Sequence, residues 1–206
     1  MKMTSRVLAA AALAAGFAVA SVWAQQPPNR VRGTVEKVDG NNVEVKSRDG
    51  TAIKLVLKDN ATVRGVVKAS LADVKANSNV AITSRPRPDG TLQAVELRIF
   101  PPNLPFNSFR GDWDLMPNSF MTNGALQTSV ASVDGQVLTV QYKAGDKTDE
   151  KKIVVTPQTI IATTVAGSKA DLKPGLRVFV ANAPKLPDGS LDVANIQVEK
   201  EIPPPQ

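Results

Sequence analysis

Asp112 and Asp114 stand two residues apart, so on an extended segment both carboxylates would point the same way, as a general acid/base pair requires. No second feature nearby supports that work, and a turn or capping role fits them better. The chain of 206 residues has no Cys and no His. Thiol nucleophiles, thiolate metal sites, disulfides and imidazole bases are therefore excluded. Ser or Thr could be activated only by Lys, an arrangement that spacing alone leaves open. Met116 and Met121 offer two thioethers without a His or Cys partner, an incomplete copper site. Carboxylates at calcium-loop spacing are missing as well. The expected protein is not an enzyme, with no cofactor and no metal.

Binding chemistry is better represented, and it is lopsided. Residues 30–101 hold 13 basic and 8 acidic residues, whereas residues 126–206 hold nine of each. Seven of the nine arginines beyond residue 24 fall in the first of these stretches. Arg85 and Arg87 flank Pro86 beside a turn, where the corresponding turn later in the chain has only Lys185. The plainest account is a solvated basic surface. The functional account is contact with an anionic partner, with Arg32, Arg48, Arg85, Arg87 and Arg98 as candidate ligands.

The second concentration is aromatic. Phe100, Phe106, Phe109, Trp113 and Phe120 are five of the seven aromatic residues beyond residue 24, the others being Tyr142 and Phe179. A flexible linker would be poor in such residues, so this segment is expected to pack as a belt between two small cores. A second use is a platform for a sugar or other flat ligand, with Phe109, Arg110 and Trp113 at its centre and Asp112 and Asp114 as polar fixtures.

The elements that position these residues come in two copies. Gly33-Thr34-Val35-Glu36-Lys37-Val38-Asp39-Gly40 is matched by Thr128-Ser129-Val130-Ala131-Ser132-Val133-Asp134-Gly135 at an offset of 95. Leu71-Ala72-Asp73-Val74-Lys75 is matched by Lys169-Ala170-Asp171-Leu172-Lys173, and Pro88-Asp89-Gly90-Thr91-Leu92 by Pro187-Asp188-Gly189-Ser190-Leu191. Such order identifies a tandem duplication, with most of the length difference expected where Arg48-Asp49-Gly50 becomes Ala144 to Asp149. Within each copy apolar residues alternate, as in Val43 and Val45, Ile53, Leu55 and Leu57, or Leu138 and Val140. That is the period of half-buried strands. Asp-Gly and Pro-Asp-Gly mark hairpins, and Ser70 can cap one helical turn.

Three strands, a helical turn and two strands predict an all-β protein of two tandem small OB-like five-stranded barrels, each with one short helical turn, joined by the aromatic-rich segment. The predicted organisation is a signal peptide at 1–24, a tail at 25–29, the first repeat at 30–101, the aromatic segment at 102–125, the second repeat at 126–200 and a Pro-rich tail at 201–206. The leader rests on Lys2 and Arg6, an apolar run from Val7 to Ala20, and small residues before a cleavage point after Ala24. Export to the periplasm is expected, with no transmembrane span after cleavage.

With its leader, Val-Asp-Gly hairpin, Ser70-Leu71-Ala72-Asp73-Val74-Lys75 and Pro-Asp-Gly-Thr-Leu hairpin, the chain resembles an uncharacterised bacterial family of exported domains of unknown function with tandem OB-like repeats. Some relatives carry the label metal transporter permease. The resemblance implies fold and compartment. Where such proteins tend to include His, Arg98 and Phe109-Arg110-Gly111 stand here, so a metal-transport accessory role is the weakest reading. Nucleic acid is not expected, since the chain is exported and the first repeat has no aromatic residue before Phe100. The expected function is a non-catalytic periplasmic binding or accessory protein whose basic first repeat contacts an anionic envelope polymer or lipid. The alternative is a structural or stress-related module that binds an envelope protein, for which the Pro-rich ends are candidates.

Overall fold

A computed structural model describes residues 30–200 and 202. The expected leader, the 25–29 tail and the Pro-rich end apart from Ile202 lie outside the described residues. Among the described residues there are twelve strands: β1 (Val31–Asp39), β2 (Asn42–Ser47), β3 (Ala52–Lys68), β4 (Asn79–Pro86), β5 (Leu92–Phe100), β6 (Phe109–Trp113), β7 (Ser119–Ser132), β8 (Gly135–Ala144), β9 (Lys147–Val155), β10 (Ile160–Ala166), β11 (Arg177–Val180) and β12 (Leu191–Glu199). Each repeat adds one 3-10 turn, Leu71–Asp73 and Lys169–Asp171. The expected all-β class is what is found. The backbone N–H of Ser70 donates to Asp73 Oδ2 and that of Ser168 to Asp171 Oδ2, both at 2.8 Å, so the two turns are closed by the same device. Among the described residues no helix is long and apolar enough to cross a membrane.

Five strands close into a barrel. β1 pairs with β2, β2 with β3, β3 in parallel with β12, β12 with β11, and β11 with β1. Val35, Val43, Val45, Leu55, Leu57 and Ile196 fill it, each at most 1% exposed. The expectation that each repeat closes on itself is not the arrangement found, because this ring takes three strands from the first repeat and two from the second. The displaced β4 and β5 pair with each other and join β7, β8 and β9, with β5 touching β9 through Leu92 and Gln93. Val80, Ile82, Leu97, Leu138, Val140 and Ile153 form their core.

The physical reason lies in β3. At roughly 3.3 Å per residue, its 17 residues span about 56 Å, long enough to pair with β12 from Leu55 to Val66 and still meet a strand outside the ring at its far end. There Arg64 to Lys68 pair antiparallel with Ala162 to Ala166 of β10. In the second repeat the same course is broken into β9 and β10 around Pro157, which has no N–H to give a ladder. Alternation assigns faces but not partners, and an exchanged strand keeps the same alternation as an unexchanged one.

The two first hairpins differ more than their shared turn motif suggests. Val35 lies opposite Val45 while Leu126 lies opposite Val140, so Val35 corresponds to Leu126 rather than to Val130. A bulge follows each, between Val35 and Lys37 and between Leu126 and Thr128. Gly33 and Gly124 are likewise equivalent, each pressed against the partner strand: a Cβ would lie 2.4 Å from Lys46 O in one and 2.1 Å from Gln141 O in the other. The β7–β8 hairpin is therefore four residues longer than β1–β2. Its tip stands in solvent, with Val130 61% and Val133 104% exposed.

Candidate functional site

Strand alternation gives each strand of the central region two buried faces. On β5, Leu97 and Ile99 enter the core while Glu96, Arg98 and Phe100 face the other way. On β1, Val31 and Val35 face the barrel interior while Arg30, just before the strand, and Arg32 face outward. The outer faces of the two strand groups meet, and the aromatic segment covers the seam. A cavity of about 340 Å³ lies there, walled by Phe100, Phe109, Trp113, Met121, Phe179 and Ala81 among others. A smaller one of about 100 Å³ adjoins it and shares Arg32 and Glu96.

Arg98 forms the floor. Its direct neighbours across the sheet are Ala81 on β4 and Ala162 on β10, and their small side chains leave room for a guanidinium. Nε donates to Glu96, Nη1 to Gln197 and Nη2 to Glu199 Oε1 at 2.9 Å. Glu199 also receives Arg177 at 2.7 Å. Burial alone would pull the Arg98 pKa down, but the carboxylates of Glu96 and Glu199 outweigh it and hold the pKa above its ordinary value. This charge is fixed and fully engaged.

Arg32 forms the wall. It lies opposite Phe179 across the β1–β11 pair, and its guanidinium sits 4.0 Å over the Phe179 ring. Trp113 meets Phe179 edge to face with centroids 6.1 Å apart and lies 6.4 Å from Phe109. Arg30 stacks 4.3 Å over Trp113. Rings and planar cations thus alternate, an arrangement that holds the guanidinium planes in place. Both arginines turn to one carboxylate, Asp114, at 3.2 Å from Arg32 and 3.8 Å from Arg30. Burial lowers the Arg32 pKa, with Asp114 opposing.

Two buried polar atoms of cavity-lining residues have no hydrogen-bond partner among the described residues: Arg32 Nε, a donor, and Asn123 Oδ1, an acceptor. The amide nitrogen of Asn123 donates to Asn107 O at 3.1 Å, which fixes the side chain's direction. An unpaired buried donor or acceptor costs about 1–3 kcal/mol. Both atoms are shielded from the open space of the cavity.

No protein-family model, characterised protein or solved structure matches this chain. The chemistry of the site rests on its own geometry.

Of the residues singled out from sequence, Arg32, Arg98, Phe109 and Trp113 line the large cavity, and Arg48 lines the small one, donating to Leu115 O at 2.7 Å. Arg110 lies on the opposite face of β6. It bonds Thr122 Oγ1 at 2.6 Å and stacks over Phe120, with its pKa lowered by burial. Arg85 and Arg87 do not line the cavities described; Arg87 is held by Asp134 at 2.9 Å. Asp112 and Asp114 alternate with the cavity-facing Trp113, and Asp114 serves the arginines. Among the described residues no group of three or more acidic side chains could hold a metal ion. Arg30, Glu96, Asn123 and Gln197 were not foreseen. Glu96 shares a strand face with Arg98 and could have been found from that; Asn123 carries no such signal.

Proposed function

We propose that this chain is an exported, non-catalytic binding protein that takes an anionic envelope ligand in the cleft between its two strand groups. In this reading both groups are OB-like barrels that have exchanged their last two strands, and the aromatic segment is both clamp and wall. The observation that carries the reading is the aromatic-walled cavity of about 340 Å³ onto which Arg30 and Arg32 face with Asp114 as their one shared carboxylate. Trp113 is the only Trp beyond residue 24, so the fluorescence of residues 25–206 reports on the cleft. Titration with acidic glycans and anionic lipid, beside neutral glycans, should change that emission for the anionic ligands and less so at higher salt. Unchanged emission and unchanged melting temperature across the series would overturn the assignment.

A second reading has its own observation. Val130 and Val133 stand exposed at the tip of the lengthened β7–β8 hairpin, a surface suited to an envelope protein partner. Replacing both with Thr should abolish capture of that partner without altering the Trp113 signal.

A further inference from the structure

Arg30 and Arg32 share the single carboxylate of Asp114, while Arg98 and Arg177 meet Glu96 and Glu199. The floor of the cleft is balanced, cation for carboxylate, and its wall has one positive charge in excess. We propose that the ligand is a small ring-bearing monocarboxylate, and that Arg32 and Arg30 hold its carboxylate. This inference rests on the cleft being a binding site and names the class of ligand. Two features each fix one part of it.

The uncompensated guanidinium calls for one negative charge, and a planar donor fork suits a carboxylate. Trp113, Phe109, Phe100 and Phe179 call for a body with a flat apolar face, and about 340 Å³ has room for one ring and its substituents. Sugar acids and aromatic acids share this chemistry. A dianion would exceed the excess charge and meet Glu96.

The test uses residues 25–206 and follows Trp113 fluorescence, with calorimetry as a second readout. Four probes form two matched pairs: D-glucuronate with D-glucose, and 4-hydroxybenzoate with 4-hydroxybenzamide. At least one acid should bind about tenfold or more tightly than its neutral partner, the factor expected of one charge-assisted contact. The better acid of the two identifies the source of the ring. Asp114→Asn removes the competing carboxylate and should tighten the acid several-fold, whereas Arg30→Gln should weaken it and leave the neutral partner unchanged. Equal binding of acid and neutral partner, or no gain with Asp114→Asn, would overturn the monocarboxylate class and leave the cleft as a binding site. If none of the four binds by either readout, this inference falls, and the site assignment stands or falls separately on the titration with acidic glycans and anionic lipid.

Discussion

Arg98 donates a hydrogen bond to Gln197, and the two residues occupy equivalent positions in the two repeats, 99 residues apart. Arg98 lies on β5 and Gln197 on β12, the strands that have changed places, so a position meets its own duplicate at the seam. One position carries the charge and the other the neutral acceptor. Two arginines there would repel.

Removing this charge should be costly. Arg98→Met leaves the buried carboxylate of Glu96 without its cation and Glu199 with only Arg177, a loss of about 3–5 kcal/mol in urea denaturation. Adding Glu96→Gln to the variant should recover part of it.

Gly33 and Gly124 leave no space for a side chain. With a Cβ placed 2.4 Å and 2.1 Å from carbonyl oxygens of the neighbouring strand, Gly33→Ala and Gly124→Ala should each destabilise by about 1–3 kcal/mol in thermal or chemical denaturation. Gly111→Ala meets nothing within 4 Å and should be nearly neutral.

Acid should weaken the turns. Asp89 and Asp188 have lowered pKa values because Thr91 and Ser190 donate side-chain and backbone hydrogen bonds to them, and Asp171 is lowered by Lys200 and the Ser168 N–H. A depressed folded-state pKa stabilises above the unfolded value of about 3.9 and is lost as pH falls through the folded value. Melting temperature should therefore drop below about pH 4, and Asp89→Asn with Asp188→Asn should flatten that drop.

The basic hairpin should prove separate from the cleft. Arg85→Ala with Arg87→Ala releases Asp134 but should leave ligand-induced change in Trp113 fluorescence as it was. Loss of that change would return the hairpin to the binding surface.

Much of this was legible in the sequence. Strand faces, both helical turns and the Asp-Gly hairpins followed from local chemistry: a positive φ at Gly90 and Gly189 and an Asp that bonds the next residue but one are properties of a few neighbouring residues. The second half of β3 and the whole of β10 were not foreseen, although Val63 and Val66 carry an apolar signal. The strand partners were hidden because β5 and β12 share the same alternation and either could complete the ring. The repeated Val-Asp-Gly motif also misaligned the first hairpins, since turn chemistry copies the tip and not the length of its arms. For the site, the aromatic segment and Arg98 stood out by composition, but Arg30 became significant only when the fold brought it over Trp113 and within reach of Asp114.

The exchange of strands also sets a timetable. The interior built by Val35, Val45 and Leu55 stays open until Leu191–Glu199 has been made, so the ring cannot close early during synthesis. Contacts this distant in sequence fold slowly, and in the interval β3 presents an unpaired edge to its surroundings. A chain of this design would depend on being held unfolded until its last strand is available.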